Sequence, residues 1–219
     1  MNRFILFTTL CFSTFLLSCA GPAPTPEPGL EVLQYGRDQE IQVATDVDWN
    51  SYTKIILHAA PVEFADNWRR NEERLHRRAM RDEDVAAIGD AVSGQLAKVM
   101  HKTLTERGGY ELTSESGPGV MVFMPNIIDL DVHATGWAQG SLVETLPAYR
   151  GGMTTELVIR DSVSDKLLAV AWQQQTDPRE QDMELTTSLS NAYVFRLMSQ
   201  NFASWILGRL DDLKAGPQA

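Results

Sequence analysis

Met153 to Thr176, MTTELVIRDSVSDKLLAVAWQQQT, reads as two strands joined by a tight turn. Met153 to Arg160 and Leu167 to Thr176 are rich in branched and aliphatic residues, while Asp161 to Asp165 is the polar connection that a hairpin needs. Asp177-Pro178 closes the second strand. Upstream, Gly117-Pro118-Gly119 is a turn, and Val120 to His133 is a long strand with a break or bulge expected at Pro125, which has no N–H to give to a ladder. Farther back, Thr53 to Ala60, TKIILHAA, carries the continuous apolar run of a strand buried on both faces, and Pro61 ends it.

Two helices frame these strands. Asp82 is a good N-cap with acids in the first turn. Val85, Ile88, Val92, Leu96, Val99 and Leu104 then form one apolar stripe to about Arg107, where Gly108-Gly109 stops the helix. Leu185 to Lys214 is the second helix, with Phe195, Met198, Phe202, Trp205, Leu210 and Leu213 as its stripe, widened by Val194, Leu197 and Ile206. The order β-α-β-β-β-α predicts an α+β two-layer sandwich, a mainly antiparallel sheet with both helices on one face. The single domain is expected over 48–214.

The start of the chain supplies an address. Arg3 precedes an uncharged apolar run, Phe4 to Leu17, which is too short to span a hydrocarbon core comfortably as a helix of about 20 residues. Leu16-Leu17-Ser18-Cys19 resembles the lipobox of bacterial lipoproteins, with Leu17 where a small residue is more usual. That resemblance implies a signal peptide over 1–18, an acylated Cys19, and a membrane bound through that lipid, since more than one long chain makes anchoring stable. Ala20, where Asp would signal inner-membrane retention, implies the outer membrane, facing the periplasm. Gly21 to Gly29, GPAPTPEPG, favours an extended polyproline II tether. Residues 19–47 are read together as lipidated Cys and Pro-rich tether, with weak strand character at Glu40 to Ala44.

Composition narrows the chemistry. A net charge of −10 makes nucleic acid a poor partner, because phosphate contacts dominate that affinity. The two cysteines are Cys11, inside the signal, and Cys19, so the body forms no disulfide and offers no thiolate for zinc or catalysis. Asp129, Asp131 and His133 alternate in IDLDVH, which places them on one strand face opposite Ile128, Leu130 and Val132. At about 3.4 Å per residue, Asp129 and His133 are too far apart to share one ion, so a solvated face is expected. Ser51-Tyr52-Thr53-Lys54 fits S-x-x-K, but it opens a strand rather than a helix and lacks the S-D-N and K-T-G companions. His58, His76 and His101 have no nucleophile nearby in the pattern. No metal, cofactor or catalytic set is expected, and the chain is not read as an enzyme.

DWNSYTKIIL, GPGVMVFMPNIIDLD, ELVIRDSVSDKLLAVAWQQQ and SWILGRLDDLK together resemble a bacterial lipoprotein family catalogued as domain of unknown function 3313. The strongest parts are the D-W-x-x-Y-x-K opening and the L-x-D-S-x-S-x-x-L-L-A hairpin. The resemblance covers about 48–214 and implies an envelope lipoprotein with an α+β body. The segment Asp66 to Arg81 departs from the pattern.

Three roles remain open. The leading one is a non-enzymatic binding module contacting an envelope protein. The others are an auxiliary lipoprotein of a transport or lipid-trafficking system, and a periplasmic hydrolase. Two contact regions are expected. Trp137, Leu142, Val143, Leu146 and Tyr149 lie in Ala134 to Gly152, a long connection whose apolar residues suit a protein contact. Arg69, Arg70, Arg77 and Arg78 form a basic segment that suits anionic headgroups, unless Glu72, Glu73 and Asp82 to Asp84 neutralise it as helical pairs.

Overall fold

The computed structural model describes residues 27–132, 151–176 and 188–216. The hairpin forms as expected: β7 (Gly152–Asp161) pairs antiparallel with β8 (Leu167–Thr176), in a register that sets Leu157 opposite Ala171. On its far side β7 pairs antiparallel with β6 (Val120–Asp131). Two further strands, β1 (Glu31–Tyr35) and β2 (Gln39–Val43), extend the sheet beyond β8. They lie within the segment read as tether, so the folded body begins at β1.

The other half of the sheet is parallel. β3 (Lys54–Leu57) and β4 (Val62–Phe64) both run parallel to β6, and the two-residue β5 (Glu111–Leu112) runs parallel to β3. Parallel neighbours require a crossover. Here it contains α1 (Trp68–His76) and α2 (Asp82–Lys102), continued by a π-helical turn over Thr103–Arg107. The last described element is α3 (Ser188–Ala215). The strand order is β1-β2-β8-β7-β6-β3-β5, with β4 also on β6. The expected α+β class holds. The sheet is mixed but mainly antiparallel, as expected; the expected β-α-β-β-β-α order and two-helix count do not hold, because the described residues contain eight strands and three α-helices.

The third helix, α1, forms where the sequence shows mostly charge. Its anchor is Trp68, 2% exposed, stacked on Phe64 with ring centroids 4.0 Å apart. The indole Nε1 donates to the Val132 carbonyl at 2.6 Å. Met80 completes this small satellite core. Left-handed backbone at Asn67 and Arg77 bounds the helix.

Pro125 does not break β6; it sits in the ladder opposite Leu157. On its other side, Phe123 O accepts from His58 N and Ile127 N donates to Pro61 O. The missing N–H of Pro125 therefore faces the gap where β3 gives way to β4. The bulge comes later, between Ile128 and Asp131, with Asp129 at φ 52°. It switches the core-facing phase from Met121, Phe123 and Ile127 to Leu130 and Val132. Asp129 and Asp131 stay more exposed than the buried Leu130 and Val132, as expected, but the bulge leaves Ile128 out of that buried set.

α2 and α3 cover one face of the sheet. Leu96, Met100 and Leu104 from the first, and Met198, Phe202 and Ile206 from the second, share a core with Ile55, Phe123, Ile127, Leu157 and Ala171. Each such aliphatic or aromatic side chain contributes about 1.5–3 kcal/mol on burial. No described element covers the opposite face.

Candidate interaction surface

The helix-free face is built by the outward positions of the same strands. Ile56 of β3 stands beside Val122 of β6. Met124, Val158 and Val170 form the next row across β6, β7 and β8. All five are only partly exposed. One-sided antiparallel sheets normally alternate apolar-in with polar-out. Here five apolar residues adjoin on the outward face, bordered by Arg160 opposite Val122 and by Gln42 opposite Val170, a patch of the kind associated with contact sites.

The third row is different. Asn126, Glu156, Trp172 and Glu40 follow one another across β6, β7, β8 and β2. Asn126 Nδ2 donates to Glu156 Oε2 at 3.3 Å, while its Oδ1 is buried without a hydrogen-bond partner. Gln42 Nε2 donates to Glu40 Oε1 at 2.5 Å. The face therefore offers aliphatic rows, one tryptophan, and a carboxylate-bearing edge.

Sequence reading missed this surface. The available signal was the run VMVFM at Val120 to Met124, apolar on both phases of an antiparallel strand.

The expected contact sites fare differently. Trp137, Leu142, Val143, Leu146 and Tyr149 lie outside the described residues, as does Cys19. β6 and β7 meet at Asp131 and Gly152, so that connection leaves and re-enters at the end of the sheet where Trp68 of α1 binds Val132. The basic segment is largely paired within itself. Arg69 binds Asp82 at 2.6 Å, Glu73 at 3.3 Å and the Met80 carbonyl, and the Asp82 hydrogen bond raises its pKa further. Arg81 binds Asp84 and Glu83, holding the Asp84 carboxyl below the ordinary range. Arg78 is also partnered. Arg70 and Arg77 are exposed.

No group of three or more His, Cys, Asp and Glu among the described residues is arranged to hold a metal, and none of their helices is long and apolar enough to cross a membrane. Ser51 Oγ donates to the Asp48 carbonyl and Lys54 Nζ to Glu111. The S-x-x-K pair is thus engaged in separate structural contacts.

The remaining motif residues also have structural tasks. Asp48 caps the turn Trp49–Ser51, and Trp49 is buried. Tyr52 Oη donates to Asp161 Oδ2 at 3.0 Å, joining the D-W-x-x-Y opening to the hairpin turn. Asp161 also accepts from the N–H groups of Val163 and Ser164 and from Ser164 Oγ. The Ser164 N–H leads in holding its carboxyl below the usual range. Burial, aided by Asp161, pushes Tyr52 up to about 12.

A family model matches a span that contains both the D-W-x-x-Y opening and the hairpin. The chain belongs to the DUF3313 family, described as a protein of unknown function, and the match spans residues 35–196. For this DUF3313 protein, a search of curated proteins finds no match. Among solved structures, it resembles a PelC dodecamer from Paraburkholderia phytofirmans at 6% identity and TM-score 0.36, covering 74% of this chain and 93% of that one. It also resembles a chain described as a neuraminyllactose-binding hemagglutinin homolog from Helicobacter pylori, at 11% identity and TM-score 0.33, covering 83% and 92%.

Proposed function

We propose that this DUF3313 protein is a non-enzymatic binding module of the bacterial envelope, held to the periplasmic side of the outer membrane by an acylated Cys19. Its helix-free sheet face is the contact surface for a protein partner. The observation that carries this reading is the pair of outward apolar rows, Ile56 with Val122 and Met124 with Val158 and Val170, on a face that no described element covers. The fitting partner presents an aliphatic patch flanked by a hydrogen-bond donor that matches the partly exposed Glu156.

The test places a photo-reactive residue at Val158 in cells and compares it with one at Val163, the 66% exposed tip of the hairpin turn. A discrete protein adduct from Val158, lost on Met124→Asp and absent from Val163, is the expected result. Equal adducts from both positions, or none from Val158, overturn the contact surface. Labelling with a clickable fatty acid, abolished by Cys19→Ala, tests the anchor separately.

A further inference from the structure

Six methionines lie among the described residues, and five of them are buried: Met80, Met153 and Met198 are 2% exposed, Met100 and Met121 0%. Met124 differs. It is partly exposed, and it belongs neither to the core nor to the partly buried side chains packed against it. The contrast with Met121, three residues back on β6, is one of phase. Met121 and Phe123 face the helices, while Val122 and Met124 face away.

The ladder fixes what surrounds Met124. On one side Val158 stands opposite it, followed by Val170. On the other, His58 N donates to Phe123 O at 3.0 Å, which carries the parallel register one residue past Leu57 and sets His58 beside Met124. His58 is exposed, so this flank of the thioether is open. The two cysteines stand at positions 11 and 19, so the sulfurs of the folded body are methionine thioethers.

We infer that Met124 is a reversible sulfoxidation site, and that its oxidation by peroxide closes the contact face to an apolar partner. The inference rests on the reading of this face as a contact surface and supplies its regulation. A sulfur lone pair attacks peroxide: an S–O bond forms, the O–O bond breaks and water leaves, the sulfur being oxidised by two electrons and the peroxide reduced. Methionine sulfoxide reductase reverses the step, removing the oxygen as water while two thiols become a disulfide. The sulfoxide oxygen is a polar acceptor in the middle of the aliphatic patch. Asn126, two residues on along the same face, already gives its Nδ2 to Glu156. Water therefore satisfies the sulfoxide while the face is open, and the fold is undisturbed. An aliphatic partner strips that water and offers no donor in return, so association weakens.

Dilute hydrogen peroxide on the folded full chain, followed by peptide mass mapping, reads the site. Met124 gains one oxygen severalfold faster than Met80, Met100, Met121, Met153 and Met198; equal rates among them, or a slower Met124, overturn the inference. In cells, the photo-reactive residue at Val158 reads the switch. Its protein adduct falls about tenfold after peroxide and returns on induction of a methionine sulfoxide reductase directed to the same compartment. A Met124→Leu chain, which keeps the apolar volume, holds its adduct throughout. An adduct lost from Met124→Leu as well, or retained by the oxidised wild type, overturns the switch. An adduct missing before any peroxide is added is the failure of the contact surface, and the switch falls with it even where the mass map shows Met124 reacting first.

Discussion

The two faces of β6 carry nearly the same chemistry and meet opposite fates. Met121, Phe123 and Ile127 are 0% exposed under α2 and α3, whereas Val122 and Met124, one residue away on the other side, stay partly exposed. Hydropathy does not distinguish them. What differs is that, among the described residues, the helices α2 and α3 pack on only one side of the sheet. Apolar residues on the uncovered side have burial still available to them, which is why that face, and not the core, is the place to look for a partner.

The sharpest way to test the comparison is to truncate both faces. Phe123→Ala should cost about 3–5 kcal/mol through lost transfer energy and the cavity left behind. Met124→Ala, already partly solvated, should cost under about 1 kcal/mol. Urea denaturation measures both. If Met124→Ala is as damaging as Phe123→Ala, the outer face is covered in the isolated protein and the comparison fails.

Next in size is the tie between motif and hairpin. Tyr52→Phe removes one hydrogen bond to a carboxylate and should cost about 1.5 kcal/mol. It also changes the alkaline limb. Tyr52 and Tyr110 are both pushed up to about 12, each chiefly by burial. The folded state thus keeps protons that the unfolded chain releases near 10. Stability should be flat below about pH 10 and fall between about 10 and 12. Tyr52→Phe should shallow that fall, with the rest belonging to Tyr110; an unchanged slope would contradict the assignment. Asp161 acts with the opposite sign: its depressed pKa supplies stability above about 3.8, lost as pH drops through the folded value.

Val158→Asp separates stability from binding. On the open face its effect on stability should be within about 1 kcal/mol, with the partner adduct gone. A collapse of stability with the adduct retained would reassign Val158 to the core.

The smallest effect concerns α1. Exposed ion pairs such as Arg69–Asp82 and Arg69–Glu73 contribute little to stability, because solvent screens them. Because those acids already satisfy Arg69, an Arg69/Arg70/Arg77/Arg78→Gln variant should float with anionic liposomes no differently from wild type. A clear drop would give the basic segment a lipid role.

Legibility followed the range of the forces involved. The β7–β8 hairpin, the body of α2 and the body of α3 were readable because turn chemistry and 3.6-residue periodicity are local. α1 was not, because its stability rests on Trp68 reaching Phe64 and the Val132 carbonyl across the fold. The bulge was expected at Pro125 and came at Asp129. Proline was tolerated because its missing N–H met a gap between β3 and β4, a fact about neighbouring strands. β1 and β2 read as linker because two five-residue strands become worthwhile only beside β8.

The amino-acid order by itself determined the α+β class, the family pattern, the lack of a disulfide in the body and the lipobox-like start, each of which depends on residues near one another in the chain. Only the tertiary structure decided which sheet face the described helices cover and which arginines are paired. Those outcomes depend on which distant elements arrive beside a residue. Hydrophobic burial is non-directional, so composition states how much surface must be covered and leaves the choice of cover to topology.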